Sequence, residues 1–250
     1  MIYEIDHLPR FRESSHDGLV GLKGYMDYFQ DIAAGQYHQL GKDNSFIHEQ
    51  YGVAWLYSKY KLNIYDKTDF DHELKISSWI SRLDNVRSWQ EMEIKRGDRL
   101  ICEGRLESCL VDLNDLSIAR LSRIELPDGL VVDRMCGAGA FTRRLRFDEN
   151  FEKVFTHTVR YCELDNNRHM NNLHYVDMFM NAFDLDFYDR NTITGFEIHY
   201  LSQVYYGESL DVYRSECEGG FRLFAKKKDG TVAAACVILV RSEELKDVAE

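Results

Sequence analysis

The chain has 250 residues, room for one large domain or two small ones, and 44% are hydrophobic, enough to bury a sizeable core. A net charge of −11, with a pI near 5.3, argues against nucleic acid or an anionic membrane as partner. Only two prolines occur, which excludes long proline-rich linkers, and six cysteines without a CxxC spacing point to reduced thiols rather than a disulfide framework.

The start, Met1-Ile2-Tyr3-Glu4, lacks the basic and apolar runs of a signal peptide. No window approaches the ~18 apolar residues of a membrane span. A cytoplasmic protein with no stable membrane association is the expectation. The first strong periodicity follows the polar turn HDG: Leu22, Met26, Phe29, Ala33 and Tyr37 fall on one helical face. KYKLNIYD, HELKISSWIS, WQEMEIKR and RLICEGRLESCLVDL then read as strands, bounded by Asp, Asn and Gly. Pro127-Asp128-Gly129 opens a connection expected to run flexibly to about residue 150; its CGAGA lacks the flanks of a phosphate loop. A second helix is expected near 172–184, followed by strands in GFEIHYLSQVYY, SLDVYRSEC, FRLFAKKK and TVAAACVILVRS.

The second scheme repeats the first. Tyr25, Asp27 and Phe29 recur as Tyr175, Asp177 and Phe179, 150 residues later. YKLNIYDKTDFDHELKISSWI resembles HYLSQVYYGESLDVYRSEC, and KRGDRLICEG resembles KKDGTVAAAC. Upstream, HDGLVGLKGY has the same shape as NNRHMNNLHY, a polar turn and then a helix. Four matches in one order imply an α+β chain of two halves, each a helix wrapped by antiparallel strands. The expected boundaries are 1–126, a linker at 127–150, and 151–250.

The stretch RYCELDNNRHMNNLHYVDMF crowds polar groups before the second helix. Asn171 and Asn172 suit an N-cap, which leaves backbone N–H groups at the helix start to stabilise an oxyanion. Asp165, Asn167 and His169 alternate at spacing two, so an extended segment would turn all three to one side. A carboxylate, an amide and an imidazole there suit attack of water on an acyl carbonyl, with His169 as proton acceptor. Turn and capping chemistry alone also accounts for such a run. The first copy discriminates between these accounts: it carries Asp17 at the place of Asn167 and Leu19 at that of His169, so the copies differ where the chemistry would lie.

LDNNRHMNNLHYVDMF resembles the L-D-x-N-x-H-[VM]-N-N-x-x-Y segment of the acyl-ACP thioesterases, a double hotdog family, and the resemblance covers essentially the whole chain. It implies two tandem hotdog domains, the first binding the acyl chain and the second catalytic, and a start without a transit-like extension fits a bacterial member. Carried over, Asp165, Asn167 and His169 match the family's catalytic loop. The family's following Glu-Cys pair falls on Gln203 and Val204, which leaves Gln203 to hold a water and removes a cysteine nucleophile. Glu197 and Glu208 stay open as alternatives. The implied substrate-binding residues are Asn171, Asn172, Met26, Phe29 and Trp55, although plain core packing also accounts for the last three. Two basic patches stand against the overall field, Arg143, Arg144 and Arg146, and the run Lys226, Lys227, Lys228; the first is assigned to docking of an acidic acyl carrier protein. No cofactor and no metal are expected, since HExxH and clustered Cys/His are missing. A homodimer through a sheet edge, an acyl-CoA thioesterase, a hotdog dehydratase and a non-catalytic acyl-binding hotdog stay open as competing readings.

Overall fold

The computed structural model describes residues 1–148 and 150–243. The chain divides into two compact units, Met1–Phe141 and a second from Thr142 onward. The first unit opens with strand β1 (Ile2–His7), a 3-10 turn at Phe11–Glu13, and helices α1 (Leu22–Gln39) and α2 (Asn44–Tyr51). Strands β2 (Val53–Ile64), β3 (Leu74–Leu83), β4 (Arg87–Arg96), β5 (Arg99–Asp112) and the two-residue β6 (Ile118–Ala119) follow. They pair antiparallel in the order β1-β3-β4-β5-β2, with β6 beside β5.

The second unit has β7 (Glu152–Thr158), a 3-10 turn at Tyr161–Glu163, α3 (Asn172–Met180), α4 (Leu185–Arg190), β8 (Asn191–Tyr200), β9 (Ser209–Cys217), β10 (Gly220–Lys227) and β11 (Val232–Ser242). Its antiparallel order is β7-β9-β10-β11-β8. In both units the sheet therefore runs first, third, fourth, fifth, second strand.

The apolar face of α1 packs on its sheet: Tyr25, Met26, Phe29, Ile32, Ala33 and Tyr37 are all buried. Phe29 lies flat on β5 at Gly104, where an added Cβ would stand 2.4 Å from the ring's Cε2. Beneath the helix runs a polar seam: Gln36 Oε1 accepts from Ser78 Oγ at 2.9 Å and from Gln90 Nε2 at 2.8 Å. The helix expected over 172–184 stops earlier, at Met180. The Asn181 N–H closes α3 on the Asp177 carbonyl, and Asp184 then caps a separate α4 by accepting from the Phe187 N–H at 2.9 Å. Phe183 and Phe187 stack across that break at 4.1 Å, which explains why the apolar spacing outlasts the helix.

Residues 127–141, expected as flexible, are bonded along the first unit's sheet. Their carbonyls accept from its side chains: Gly137 O from Asn63 at 3.0 Å, Gly139 O from Arg105 at 2.8 Å, Ala140 O from Lys61 at 2.7 Å and Arg134 O from Trp79 at 2.7 Å. Under this strap Glu91 is fully buried, with Arg105 Nε donating to it at 2.9 Å, Ser81 Oγ at 2.7 Å and Cys136 Sγ at 2.9 Å. A buried carboxylate persists only with such partners.

The Phe29–Gly104 contact yields a stability prediction. Gly104→Ala is expected to destabilise the protein by about 1–3 kcal/mol through overpacking, read as a lower midpoint in urea unfolding; an unchanged midpoint would show that the ring yields freely.

Candidate active site

The second unit's distinctive turn starts from its 3-10 segment. There the Glu163 carboxylate accepts the Arg160 N–H at 2.6 Å and pairs with His157 at 2.7 Å. The turn itself closes between Leu164 and Met170, which form an antiparallel bridge. Inside it, Asp165 Oδ1 accepts the N–H groups of Asn167 at 2.8 Å and His169 at 3.1 Å. The Arg168 N–H reaches the Asp165 carbonyl at 3.1 Å, and the Asp165 N–H reaches the His169 carbonyl at 2.8 Å.

This corrects the expectation of an extended run with three side chains on one side. A short carboxylate offers the backbone an acceptor two residues on, and that local bonding defeats the strand. The turn also holds Arg168 at φ +64°, a left-handed conformation that costs a side-chain-bearing residue roughly 1 kcal/mol. Asp165 and His169 end half-buried, while Asn167 is exposed.

Beyond the turn, Asn171 accepts the Leu173 N–H at 2.9 Å as the N-cap of α3, and Asn172 becomes its first helical residue. The Met170 N–H donates to the Val204 carbonyl at 2.8 Å, and His169 pairs with Tyr205 across an isolated bridge. The segment after β8 thereby comes to the turn. Val204 is fully buried and Gln203 exposed, its Oε1 accepting from the Tyr205 hydroxyl at 3.2 Å. The His169 imidazole meets the Tyr205 ring edge to face, with centroids 4.9 Å apart and planes at 81°. Among the described residues no side chain bonds either imidazole nitrogen. Tyr205 escaped the sequence reading; the signal available was its place two residues past Gln203, on the same side of an extended segment.

Glu208 anchors the far end of this segment. Its carboxylate accepts the Tyr205 N–H at 2.7 Å and pairs with Lys227 at 3.2 Å. Glu197 engages His199 Nε2 at 2.8 Å and accepts the Thr142 N–H at 2.6 Å.

The first unit builds the same skeleton without the imidazole. The Ser15 N–H donates to the Leu19 carbonyl at 2.7 Å, the Gly18 N–H to the Ser15 carbonyl at 3.0 Å, and the Val20 N–H to the Thr68 carbonyl at 2.7 Å. Asp17 accepts the Leu19 N–H at 3.1 Å and pairs with Lys67 at 3.1 Å. Gly18, at φ +76°, takes the left-handed place held by Arg168. Elsewhere in this unit Met26 and Phe29 are core residues, and Trp55 stacks on Tyr37 at 4.3 Å while its indole N–H donates to the Lys42 carbonyl. Arg143, Arg144 and Arg146 are exposed and, among the described residues, without an ion-pair partner.

Comparison with known families assigns the chain. The model for the acyl-ACP thioesterase N-terminal domain matches residues 2–125, and that for the C-terminal domain matches residues 147–246. The chain belongs to the acyl-ACP thioesterase family. It is accordingly a thioester hydrolase acting on fatty acyl-acyl carrier protein. An acyl-ACP thioesterase from Bacteroides thetaiotaomicron is similar at a TM-score of 0.88 with 18% identity, over 96% of this chain and 98% of that one. A 12:0-ACP thioesterase from Umbellularia californica is similar at 0.82 with 13% identity, over 97% and 98%. The architecture shared with both is hotdog-like, a large antiparallel sheet with few helices. No curated protein sequence matches the chain. Among the described residues no cluster of His, Cys, Asp or Glu is arranged to hold a metal, and no helix is long and apolar enough to cross a membrane.

The bonding of Asp165 yields a test of the turn. Asp165→Ala removes the acceptor for two N–H groups and is expected to cost about 1–3 kcal/mol of stability and at least tenfold in turnover. Asp165→Asn keeps an acceptor oxygen and is expected to restore most of the melting temperature; equal losses in both would show that the charge matters, not the bonding.

Proposed function

We propose that the second unit carries the hydrolytic chemistry, with His169 accepting a proton from the attacking water. What supports this is an imidazole with both nitrogens open, fixed on a backbone-locked turn directly before the capped start of α3. Water adds to the thioester carbonyl and its proton passes to His169. The carbon–sulfur bond then breaks, and the departing thiolate takes that proton, leaving free fatty acid and the carrier's thiol. Asn167 is exposed on the turn beside His169 and is proposed to hold the carbonyl. Asp165 acts through the turn it organises, and Gln203 places the water without serving as a base. The amides at the start of α3, around Asn171 and Asn172, supply donors for the oxyanion.

The two units are proposed to be tandem hotdog domains with divided roles. The matching strand order and the matching turn skeletons support this division, together with Leu19 standing where the second unit has His169. The first unit, through Met26, Phe29 and Trp55 on and around α1, is assigned to the acyl chain. The exposed Arg143, Arg144 and Arg146 are assigned to docking of the acidic carrier protein, which would otherwise meet a field of its own sign.

Thiol release from acyl-ACP and acyl-CoA, compared across chain lengths, tests the proposal. His169→Ala is expected to lower turnover at least a hundredfold with the melting temperature kept; wild-type turnover would remove His169 from the chemistry. Reversing Arg143, Arg144 and Arg146 to Glu is expected to raise KM for acyl-ACP about tenfold, a loss of ~1.4 kcal/mol, and to leave acyl-CoA hydrolysis unchanged. An unchanged KM would discard the patch.

A further inference from the structure

We infer that Tyr205 is the positioning residue of His169, doing with an aromatic ring what a carboxylate does beside many catalytic histidines. The inference rests on the proposed role of His169. A histidine that exchanges protons is ordinarily oriented by a hydrogen bond to its second ring nitrogen. Here the neighbouring acids are otherwise engaged. Asp165 gives Oδ1 to the Asn167 and His169 N–H groups, so it fixes the peptide of His169 and not its ring. Glu208 is occupied by the Tyr205 N–H and by Lys227. His174, one turn along α3, has its own partner in Asp177 at 3.2 Å. What touches the imidazole is the Tyr205 ring, at 4.9 Å and 81°, the edge-to-face geometry that aromatic pairs prefer.

A positioning group must itself be fixed, and Tyr205 is held at both ends. Its N–H donates to the Glu208 carboxylate at 2.7 Å, and its carbonyl accepts the Glu208 N–H at 3.1 Å, a closed turn through Gly207. That turn is bonded to Val159 from both sides: the Gly207 N–H donates to the Val159 carbonyl and the Val159 N–H to the Glu208 carbonyl, each at 3.0 Å. At the far end the hydroxyl donates to Gln203 Oε1 at 3.2 Å. Tyr205 is 46% exposed and His169 half-buried, so the pair stands at the surface, within reach of substrate and water.

The device makes the ring, not the hydroxyl, the essential part. Single-turnover hydrolysis of acyl-ACP by the full chain reads this directly. Tyr205→Leu is expected to slow the chemical step about tenfold, with KM and melting temperature close to wild type. Tyr205→Phe keeps the ring and is expected to restore the rate to within about threefold. A wild-type rate in Tyr205→Leu would overturn the inference, and so would a Phe variant as slow as the Leu variant. Should Tyr205→Leu fail to fold, Glu208→Gln weakens the anchor of the turn without touching the ring, and an unslowed chemical step there would equally overturn it. His169→Ala run beside these separates the two claims: an active His169→Ala rejects the assignment of His169 itself, whereas an inactive one beside a normal Tyr205→Leu rejects only the role of Tyr205.

Discussion

A backbone hydrogen bond of 2.8 Å, from the Met170 N–H to the Val204 carbonyl, determines what the second unit can bring together. Both residues are buried, so leaving either group unbonded would incur a full desolvation penalty of about 1–3 kcal/mol. With this bond in place, His169 and Tyr205 become cross-strand neighbours, Gln203 lies beside the Tyr205 hydroxyl, and Asn171 arrives in position to cap α3. None of these four residues adjoins all the others in sequence. A main-chain contact, indifferent to side-chain identity, assembles them.

That indifference explains how one skeleton serves two purposes. The first unit makes the same bond from Val20 to Thr68 and the same turn, with Leu19 at the imidazole's place and an Asp17–Lys67 ion pair across its mouth. The backbone frame is kept in both units while the side chains on it differ. Where glycine takes the left-handed position at no steric cost in the first unit, the second holds Arg168 there, so the strained copy is the one bearing the imidazole.

Much of this was legible in the sequence because it is local. The apolar face of α1, the central strands and the Asn171 cap all arise from neighbours within a turn or a pleat, and the repeat at 150 residues is the same local pattern written twice. Helix α2 was legible too and escaped notice, although Asp43 caps it and Gly52 ends it in the left-handed conformation. Edge strands β1 and β7 carry weak signals because each is half exposed and pairs with one neighbour only. The alternation of Asp165, Asn167 and His169 misled, since a carboxylate two residues from a free N–H makes a turn where period two suggests a strand. Two features had no local signature at all. The strap along the first unit's sheet is bonded through its own carbonyls, which every residue possesses, and the packing of Tyr205 on His169 depends on a bond that spans 34 residues of chain.

The thiols offer a practical handle on the same turn. Cys102, Cys109, Cys136 and Cys236 are buried and Cys217 is half-buried, whereas Cys162 is exposed in the 3-10 segment that leads into Asp165. Burial holds the thiols of Cys102 and Cys236 well above the ordinary range, and burial with the Glu91 carboxylate does the same for Cys136, so none of them ionises readily to react. Burial raises the thiols of Cys109 and Cys217 as well, so a maleimide dye or spin label added to the native enzyme is expected to react first at the exposed Cys162. It would sit seven residues from His169, on the backbone that closes the turn, without a single engineered cysteine.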